Sequence, residues 1–108
     1  MPTHPIGVPP SGLPLVTEVQ FTAAQPGDVR QGLVGFVRLT LGSSVRVDGV
    51  TLRRTRDGKL ALSFPKRTDG RGRQHSVVAP TGQLARDAIT QQVLAAPGIQ
   101  RRDRGGGA

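Results

Sequence analysis

Cysteine is absent from the 108-residue sequence, and so are tryptophan and tyrosine. Without cysteine the chain has no disulfide, no thiolate nucleophile and no cysteine-based zinc site, a composition that fits a reducing compartment. Phe21, Phe36 and Phe64 are the only aromatic residues. The strand pattern places Phe64 on an apolar face, so stacking platforms are scarce. This scarcity disfavours a protein that holds single-stranded nucleic acid mainly by base stacking.

Long hydrophobic runs are also missing. No apolar run approaches the roughly 18 residues that a membrane-spanning helix needs, so we expect no membrane partner. The first residues contain proline and glycine where a signal peptide would need a charged start and an apolar helix. We therefore expect a cytoplasmic protein.

Catalytic motifs are equally sparse. The only histidines are His4, in a proline-rich segment, and His75, which has no carboxylate partner evident in the sequence. Neither a metal-ligand spacing nor a catalytic triad is recognisable. Gly70 and Gly72 form a G-x-G without a third glycine, so a dinucleotide fingerprint fails. We predict a protein that is not an enzyme and has no catalytic residue, no metal, no cofactor and no small-molecule substrate.

Acidic residues are few, with seven against fifteen lysines and arginines, and the formal net charge is +8. The excess is clustered, because residues 53–73 contain eight basic and two acidic side chains and so carry +6 of the total. A clustered positive charge suits a polyanion, since each neutralised phosphate releases counterions. The alternative is an ordinary solvated face in an arginine-rich chain.

The composition divides the chain into three parts. Residues 1–14 are proline-rich without periodicity, and residues 97–108 are basic and glycine-rich, so we predict disordered tails at both ends. The remaining residues, 15–96, form one small domain. A domain of this size buries only about 60% of its unfolded surface, and dimerisation would offset the small core.

Alternating apolar positions predict strands over residues 15–22, 33–41, 45–53 and 59–64, with a short fifth strand over 75–79. The apolar phase of the third strand slips at Asp48-Gly49. A β-bulge there would restore a common face, and a tight turn between two short strands is the alternative. Asp57-Gly58 predicts a hairpin turn with positive φ at both central residues.

A single helix is predicted over residues 81–95, with Thr81 as its N-cap and Pro97-Gly98 as its end. Leu84, Ala88, Ile89 and Val93 are expected on its apolar stripe. The fold class is therefore α+β, with an antiparallel four- to five-stranded sheet followed by one C-terminal helix that packs on it.

The stretch GKLALSFPKRTDGRGR, residues 58–73, begins as a buried strand and ends as a glycine-containing basic segment. Pro65 ends the strand ladder because it has no N–H. We therefore predict a mobile basic loop that binds phosphates. The candidate residues are Lys66, Arg67, Arg71 and Arg73. A second basic group, Arg53, Arg54 and Arg56, would extend this patch if the Asp57-Gly58 turn places it on the same edge.

The order of DGVTL (48–52) and GKLALSFPKRTDG (58–70), followed by Pro80 and a helix, resembles the stage V sporulation protein G family (SpoVG, also called septation protein G). VRLTL (37–41) resembles the second strand of that family. The similarity covers roughly residues 33–94. It implies a small, homodimeric bacterial regulator that binds DNA or RNA and is linked to sporulation, septation and cell division. Matching position again indicates Lys66, Arg67, Arg71 and Arg73, and the helix adds Arg86.

The function expected from the sequence is therefore a SpoVG-like nucleic-acid-binding regulator of gene expression. The alternative is a protein-interaction module that acts on the division or sporulation machinery through an exposed strand edge.

Overall fold

The computed structural model describes residues 12–100, so most of the two predicted tails, residues 1–11 and 101–108, lies outside the described residues. The elements in chain order are β1 (Val16–Ala23), α1 (Pro26–Arg30), β2 (Leu33–Leu41), β3 (Val45–Arg54), β4 (Leu60–Ser63), β5 (Lys66–Thr68), β6 (Gln74–Ser76) and α2 (Gln83–Leu94). Within this range, no helix is both long and apolar enough to cross a membrane.

The predicted α+β class is confirmed. Four strands form an antiparallel meander in the order β1-β2-β3-β4, and α2 covers one face of it. The fifth strand predicted over 75–79 is wrong, because β6 ends at Ser76 and pairs with β5 in a separate two-stranded sheet. The short helix α1 forms where the sequence pattern predicts only a turn. Pro26 at its start and Asp28 in its first turn favour a helix there.

The core lies between the sheet and α2. Alternate residues of the central strands, among them Val37, Leu39 and Leu52, are almost fully buried. They pack with Ile89 and Val93 of the helix. One face of each strand thus meets the helix and the other meets solvent, because successive side chains point to opposite sides of a sheet.

The bulge at Asp48-Gly49 is confirmed, and the alternative of a tight turn at this position is wrong. Val37 pairs with Val50 and Leu39 pairs with Val47, so two residues of β3 oppose one of β2. Gly49 has φ +81°, a conformation that glycine adopts without strain. The extra residue returns Val47 and Val50 to the same buried face.

The predicted Asp57-Gly58 turn joins β3 and β4, but its backbone conformation differs from the expected one. Positive φ at both central residues occurs at Gly42-Ser43, between β2 and β3. At the predicted Asp57-Gly58 turn only Gly58 has positive φ. The N–H of Gly58 donates to the carbonyl of Thr55 (2.9 Å), which gives a three-residue turn of the type that ends in a left-handed glycine.

The N-cap of helix α2 lies one residue later than predicted. Gly82, not Thr81, is the N-cap, and its extended backbone makes no side-chain capping bond. Leu84, which the sequence pattern places on the apolar stripe, is 74% exposed. It lies five residues before Ile89, which is about 140° around a helix of 3.6 residues per turn.

The ordered domain also extends beyond residue 96, where a disordered tail was predicted. Residues 97–100 form a helical turn, and Ile99 is only 1% exposed in the core. Pro97 ends α2 but favours the first turn of a new helix, because its fixed φ suits that position. At the other end, the Gln92 amide donates to the carbonyl of Pro14 and accepts from the N–H of Val16, both at 2.9 Å, which ties α2 to β1.

Candidate nucleic-acid interface

The predicted mobile basic loop is an ordered β-hairpin. Lys66 pairs with Ser76, Arg67 with His75 and Thr68 with Gln74. We call residues 66–76 the basic ribbon. The prediction of a mobile loop is wrong because Pro65 stops pairing with β3 but does not prevent the following residues from pairing with each other.

The basic ribbon projects its side chains into solvent. All six strand residues are exposed, and the two strands pair with each other and with no other described strand. Its base is closed by a hydrogen bond from the N–H of Val77 to the carbonyl of Pro65 (3.0 Å). A two-stranded sheet without a buried face is marginal alone, so its order depends on the turn that joins the strands.

Asp69 organises that turn. Its Oδ1 accepts hydrogen bonds from the backbone N–H groups of Arg71 (2.9 Å) and Arg73 (3.0 Å). The N–H of Asp69 donates to the carbonyl of Arg73 (2.8 Å), and Gly72 adopts φ +80°. An aspartate that bonds the backbone two residues on is a common turn-forming device.

The second carboxylate oxygen of Asp69 contacts the side chains of His75 and Arg73. His75 Nε2 lies 2.7 Å and Arg73 Nε lies 3.4 Å from Oδ2. The hydrogen bond with His75, followed by those from the Arg73 and Arg71 backbone, holds the pKa of Asp69 below its usual value. The carboxylate therefore stays ionised and keeps the turn closed over the ordinary pH range.

The four predicted contact residues are brought together on the basic ribbon. Lys66 and Arg67 are neighbours on β5 and project to opposite faces, while Arg71 and Arg73 lie in the turn. Among the described residues, no carboxylate lies within ion-pair distance of Lys66, Arg67 or Arg71. Three of the four cations are thus available to an anionic ligand, and guanidinium groups suit phosphate because they donate two hydrogen bonds at once.

The second basic group lies elsewhere. Arg53 and Arg54 end β3, and Arg56 lies in the turn before β4, whereas the ribbon starts beyond the other end of β4. Leu60 and Pro65 are five residues apart, or roughly 17 Å along a strand. The Asp57-Gly58 turn therefore does not place Arg53, Arg54 and Arg56 at the root of the ribbon.

Arg86, the candidate on the helix, is engaged within the fold. Its Nη1 donates to the carbonyl of Leu62 (3.4 Å), and its guanidinium carbon lies 5.6 Å from the centre of the Phe64 ring. Phe64 is buried, as the strand pattern predicted. Arg86 thus connects α2 with β4 and with the Phe64 ring that follows it.

His75 has a carboxylate partner that the sequence did not reveal, because Asp69 is six residues away and only the hairpin register brings them together. The imidazole is 58% exposed and lies on a ribbon without a buried strand residue. Within residues 12–100, no three His, Asp or Glu side chains form a group able to hold a metal ion.

Two features of the site were missed by reasoning from the sequence. One is the role of Asp69, which was counted only as a negative charge. The other is the solvent-facing side of β2, where Phe36 is 47% exposed. The alternation of β2 contained that signal, because Phe36 shares its phase with the polar residues Arg38 and Thr40.

The chain was also compared with known proteins. No protein-family model, curated protein or solved structure matches it. The resemblance to the SpoVG family therefore remains a prediction from the quoted motifs, and the interpretation of the site depends on its own chemistry.

Proposed function

We propose that this protein is a non-enzymatic regulator that binds DNA or RNA through the basic ribbon. The observation that carries the proposal is an ordered, solvent-exposed hairpin on which three cations have no acidic partner among the described residues. The similarity to SpoVG motifs favours the same function, with sporulation, septation or gene-expression control as its setting. A cytoplasmic location and a homodimer complete the proposal.

The ribbon suits phosphate binding for two reasons. Its turn is held by Asp69, so the cations are presented on a fixed scaffold and less freedom is lost on binding. Its strand residues are also all exposed, so the Lys66 and Arg67 side chains can reach phosphate oxygens of a nucleic-acid backbone. Phosphate contacts of this kind position a protein but carry little sequence information.

A salt titration of the purified protein tests the proposal. Affinity for single-stranded DNA, duplex DNA and RNA of matched length is measured by fluorescence anisotropy at several salt concentrations. We expect log K to fall linearly with log salt, by roughly 0.7 to 0.9 per phosphate contact. Absence of binding to every probe at low salt would reject nucleic-acid binding.

A protein-interaction module is the second candidate, and one observation favours it. Among the described strands, each strand of the ribbon pairs on one side only, which leaves an edge to which a partner strand could add. Pull-down from nuclease-treated lysate separates the two functions. A partner that is retained by the wild-type protein after nuclease treatment, but lost when the ribbon is disrupted, would support this candidate.

A further inference from the structure

The face of the sheet opposite α2 is uncovered in the part of the chain that the structure describes. The fully buried residues of the sheet cluster with Ile89 and Val93 of α2. On the other side, Phe36 stands in a cross-strand row between Thr22 of β1 and Thr51 of β3. A phenyl ring with 47% exposure amid polar neighbours is an unusual use of an aromatic residue, because such rings are normally buried.

Phe36 borders a shallow cavity of about 210 Å³ on this face. Gln20, Thr22, Arg38 and Asp48 provide its polar groups. The Arg38 guanidinium is held by Asp48 (2.6 Å) and contacts the side-chain oxygen of Gln20 (3.5 Å). The cavity thus combines a half-exposed aromatic ring with hydrogen-bond donors and acceptors, a combination that suits a flat, polar-edged heterocycle.

The cavity is contiguous with the root of the basic ribbon. Gly49 lines the cavity, and a Cβ atom at Gly49 would lie 3.4 Å from the Cβ of Pro65. Pro65 directly precedes Lys66, the first cation of the ribbon. The β3 bulge therefore joins a candidate base site to the proposed phosphate site.

We infer that Phe36 is a stacking platform for an unpaired nucleobase, so that the preferred ligand is single-stranded nucleic acid whose phosphates contact the ribbon. The inference rests on the proposed function and specifies its ligand. Bases in a duplex have both faces stacked on their neighbours and cannot lie on a sheet surface, whereas unpaired bases stack readily on exposed aromatic rings. The scarcity of aromatic residues limits the platform to one base and leaves the ribbon as the main source of affinity.

The substitution Phe36→Trp provides a direct probe, because the chain contains no other tryptophan and no tyrosine. The probes are a short oligothymidylate, an abasic oligonucleotide with the same number of phosphates, and a duplex of equal length. We expect oligothymidylate to quench the tryptophan fluorescence and the abasic strand to leave it unchanged. In the wild-type protein, oligothymidylate should bind more tightly than the abasic strand, on the order of 5- to 150-fold.

Phe36→Leu keeps an apolar side chain but removes the ring, and it should lower the affinity for oligothymidylate to that for the abasic strand. Leu84→Ala, at an exposed apolar residue on α2, is the matched control and should change neither affinity. Circular dichroism verifies that both variants are folded.

Three results would overturn the inference, and they are distinguishable. Equal binding of oligothymidylate and the abasic strand by the wild-type protein would remove base stacking but leave phosphate binding by the ribbon intact. Absence of binding to all three probes at low salt would reject the proposed function as well. A change in sedimentation mass in Phe36→Leu would show that this face instead contacts a second copy of the chain.

Discussion

The four-stranded sheet and the basic ribbon are both antiparallel, yet different interactions hold them. The sheet buries one face against α2 and owes its stability to apolar residues such as Leu52 and Val93. The ribbon has no buried strand residue and depends on backbone pairing and on the hydrogen bonds of Asp69. Burial therefore stabilises one region, while the other leaves its side chains free to contact a ligand.

The turns of the two regions sharpen this comparison, because they have the same geometry. Thr55 and Asp69 each begin a turn whose left-handed residue is a glycine, Gly58 or Gly72. The side chain of Thr55 accepts a bond from the Lys59 N–H (3.2 Å), as that of Asp69 accepts from the Arg73 N–H. One local device thus serves both a hairpin within the sheet and a hairpin outside it. The strands that flank the turn are apolar in one hairpin and basic in the other. This difference determines whether the hairpin joins the sheet or lies outside it.

Removal of the four cations of the ribbon should have the largest effect, and that effect is on the affinity for nucleic acid. The variant Lys66→Ala, Arg67→Ala, Arg71→Ala and Arg73→Ala should bind single-stranded DNA at about 50 mM salt roughly a thousandfold more weakly, because the phosphate contacts of the ribbon are lost. Its urea midpoint should stay at the wild-type value, because no core residue is changed. Anisotropy titration and urea unfolding measure the two quantities.

A control variant removes the same number of charges from outside the ribbon, with alanine at Arg30, Arg53, Arg56 and Lys59. We expect a much smaller loss of affinity, because salt screens charges that lie more than about 10 Å from the ligand. It also tests the sequence-based prediction that Arg53 and Arg56 contribute. Equal losses in the two variants would show that total charge, not the ribbon, determines binding.

Truncation of a core side chain should lower stability, in contrast to neutralisation of the ribbon, which should lower affinity. Leu52→Ala removes a side chain with 1% exposure and should lower the free energy of unfolding by about 2–5 kcal/mol. The same chemical change at the exposed Leu84 should lower it by less than about 0.5 kcal/mol. Urea denaturation followed by circular dichroism gives both values. Similar values for the two variants would contradict the position of the core.

Glycine-to-alanine substitutions extend the comparison to the backbone. A Cβ at Gly35 would lie 2.5 Å from the Phe21 ring and 2.5 Å from the carbonyl oxygen of Thr22. Gly35→Ala should therefore destabilise the sheet by about 1–3 kcal/mol. At Gly70 in the ribbon turn, nothing lies within 4 Å of the added atom, and Gly70→Ala should leave the urea midpoint unchanged.

The smallest effect is expected at the ribbon turn and depends on pH. Because the pKa of Asp69 is lowered in the folded protein, its ionised form stabilises the turn above the ordinary carboxyl pKa of 3.8. That contribution should fade as the pH falls below 3.8 and vanish below the lower pKa of the folded state. The protection of the Arg71 and Arg73 amides against hydrogen exchange, relative to their intrinsic rates, should decrease over this range, as it should in Asp69→Ala at neutral pH.

Asp69→Asn is the informative comparison for that turn. The asparagine oxygen can still accept from the Arg71 and Arg73 amides, but the side chain no longer presents a negative charge to Arg73 and His75. The amide protection in Asp69→Asn should be intermediate between that of the wild type and that of Asp69→Ala, and it should show no acid transition. An unchanged acid transition in Asp69→Asn would show that another group controls it.

The sequence predicted the strands of the four-stranded sheet well because the periodicity of apolar residues follows the burial of their side chains. The alternation of β2 and the phase slip at Asp48-Gly49 gave the strand, its buried face and the bulge. The errors lie where neighbouring residues outweigh a local signal. Leu84 is apolar but five residues from Ile89, and Pro97 ends one helix yet begins the turn that buries Ile99.

The basic residues of the candidate site were predictable from the sequence, but the hairpin that carries them was not. The charge cluster identified Lys66, Arg67, Arg71 and Arg73, and the structure places all four on one hairpin. The pairing of Lys66–Thr68 with Gln74–Ser76 left no hydrophobic pattern, because neither strand buries a face. The contact between Asp69 and His75 arises from that hairpin and so could not be read from spacing alone.

The most direct test of the central claim is the salt dependence of binding in the wild-type protein and in the ribbon variant. If the four cations of the ribbon contact phosphates, replacing them should reduce the magnitude of the slope of log K against log salt by about 3 on single-stranded DNA. The control variant with four cations removed elsewhere should keep nearly the wild-type slope. An unchanged slope in the ribbon variant would contradict the claim that the basic ribbon is the nucleic-acid interface.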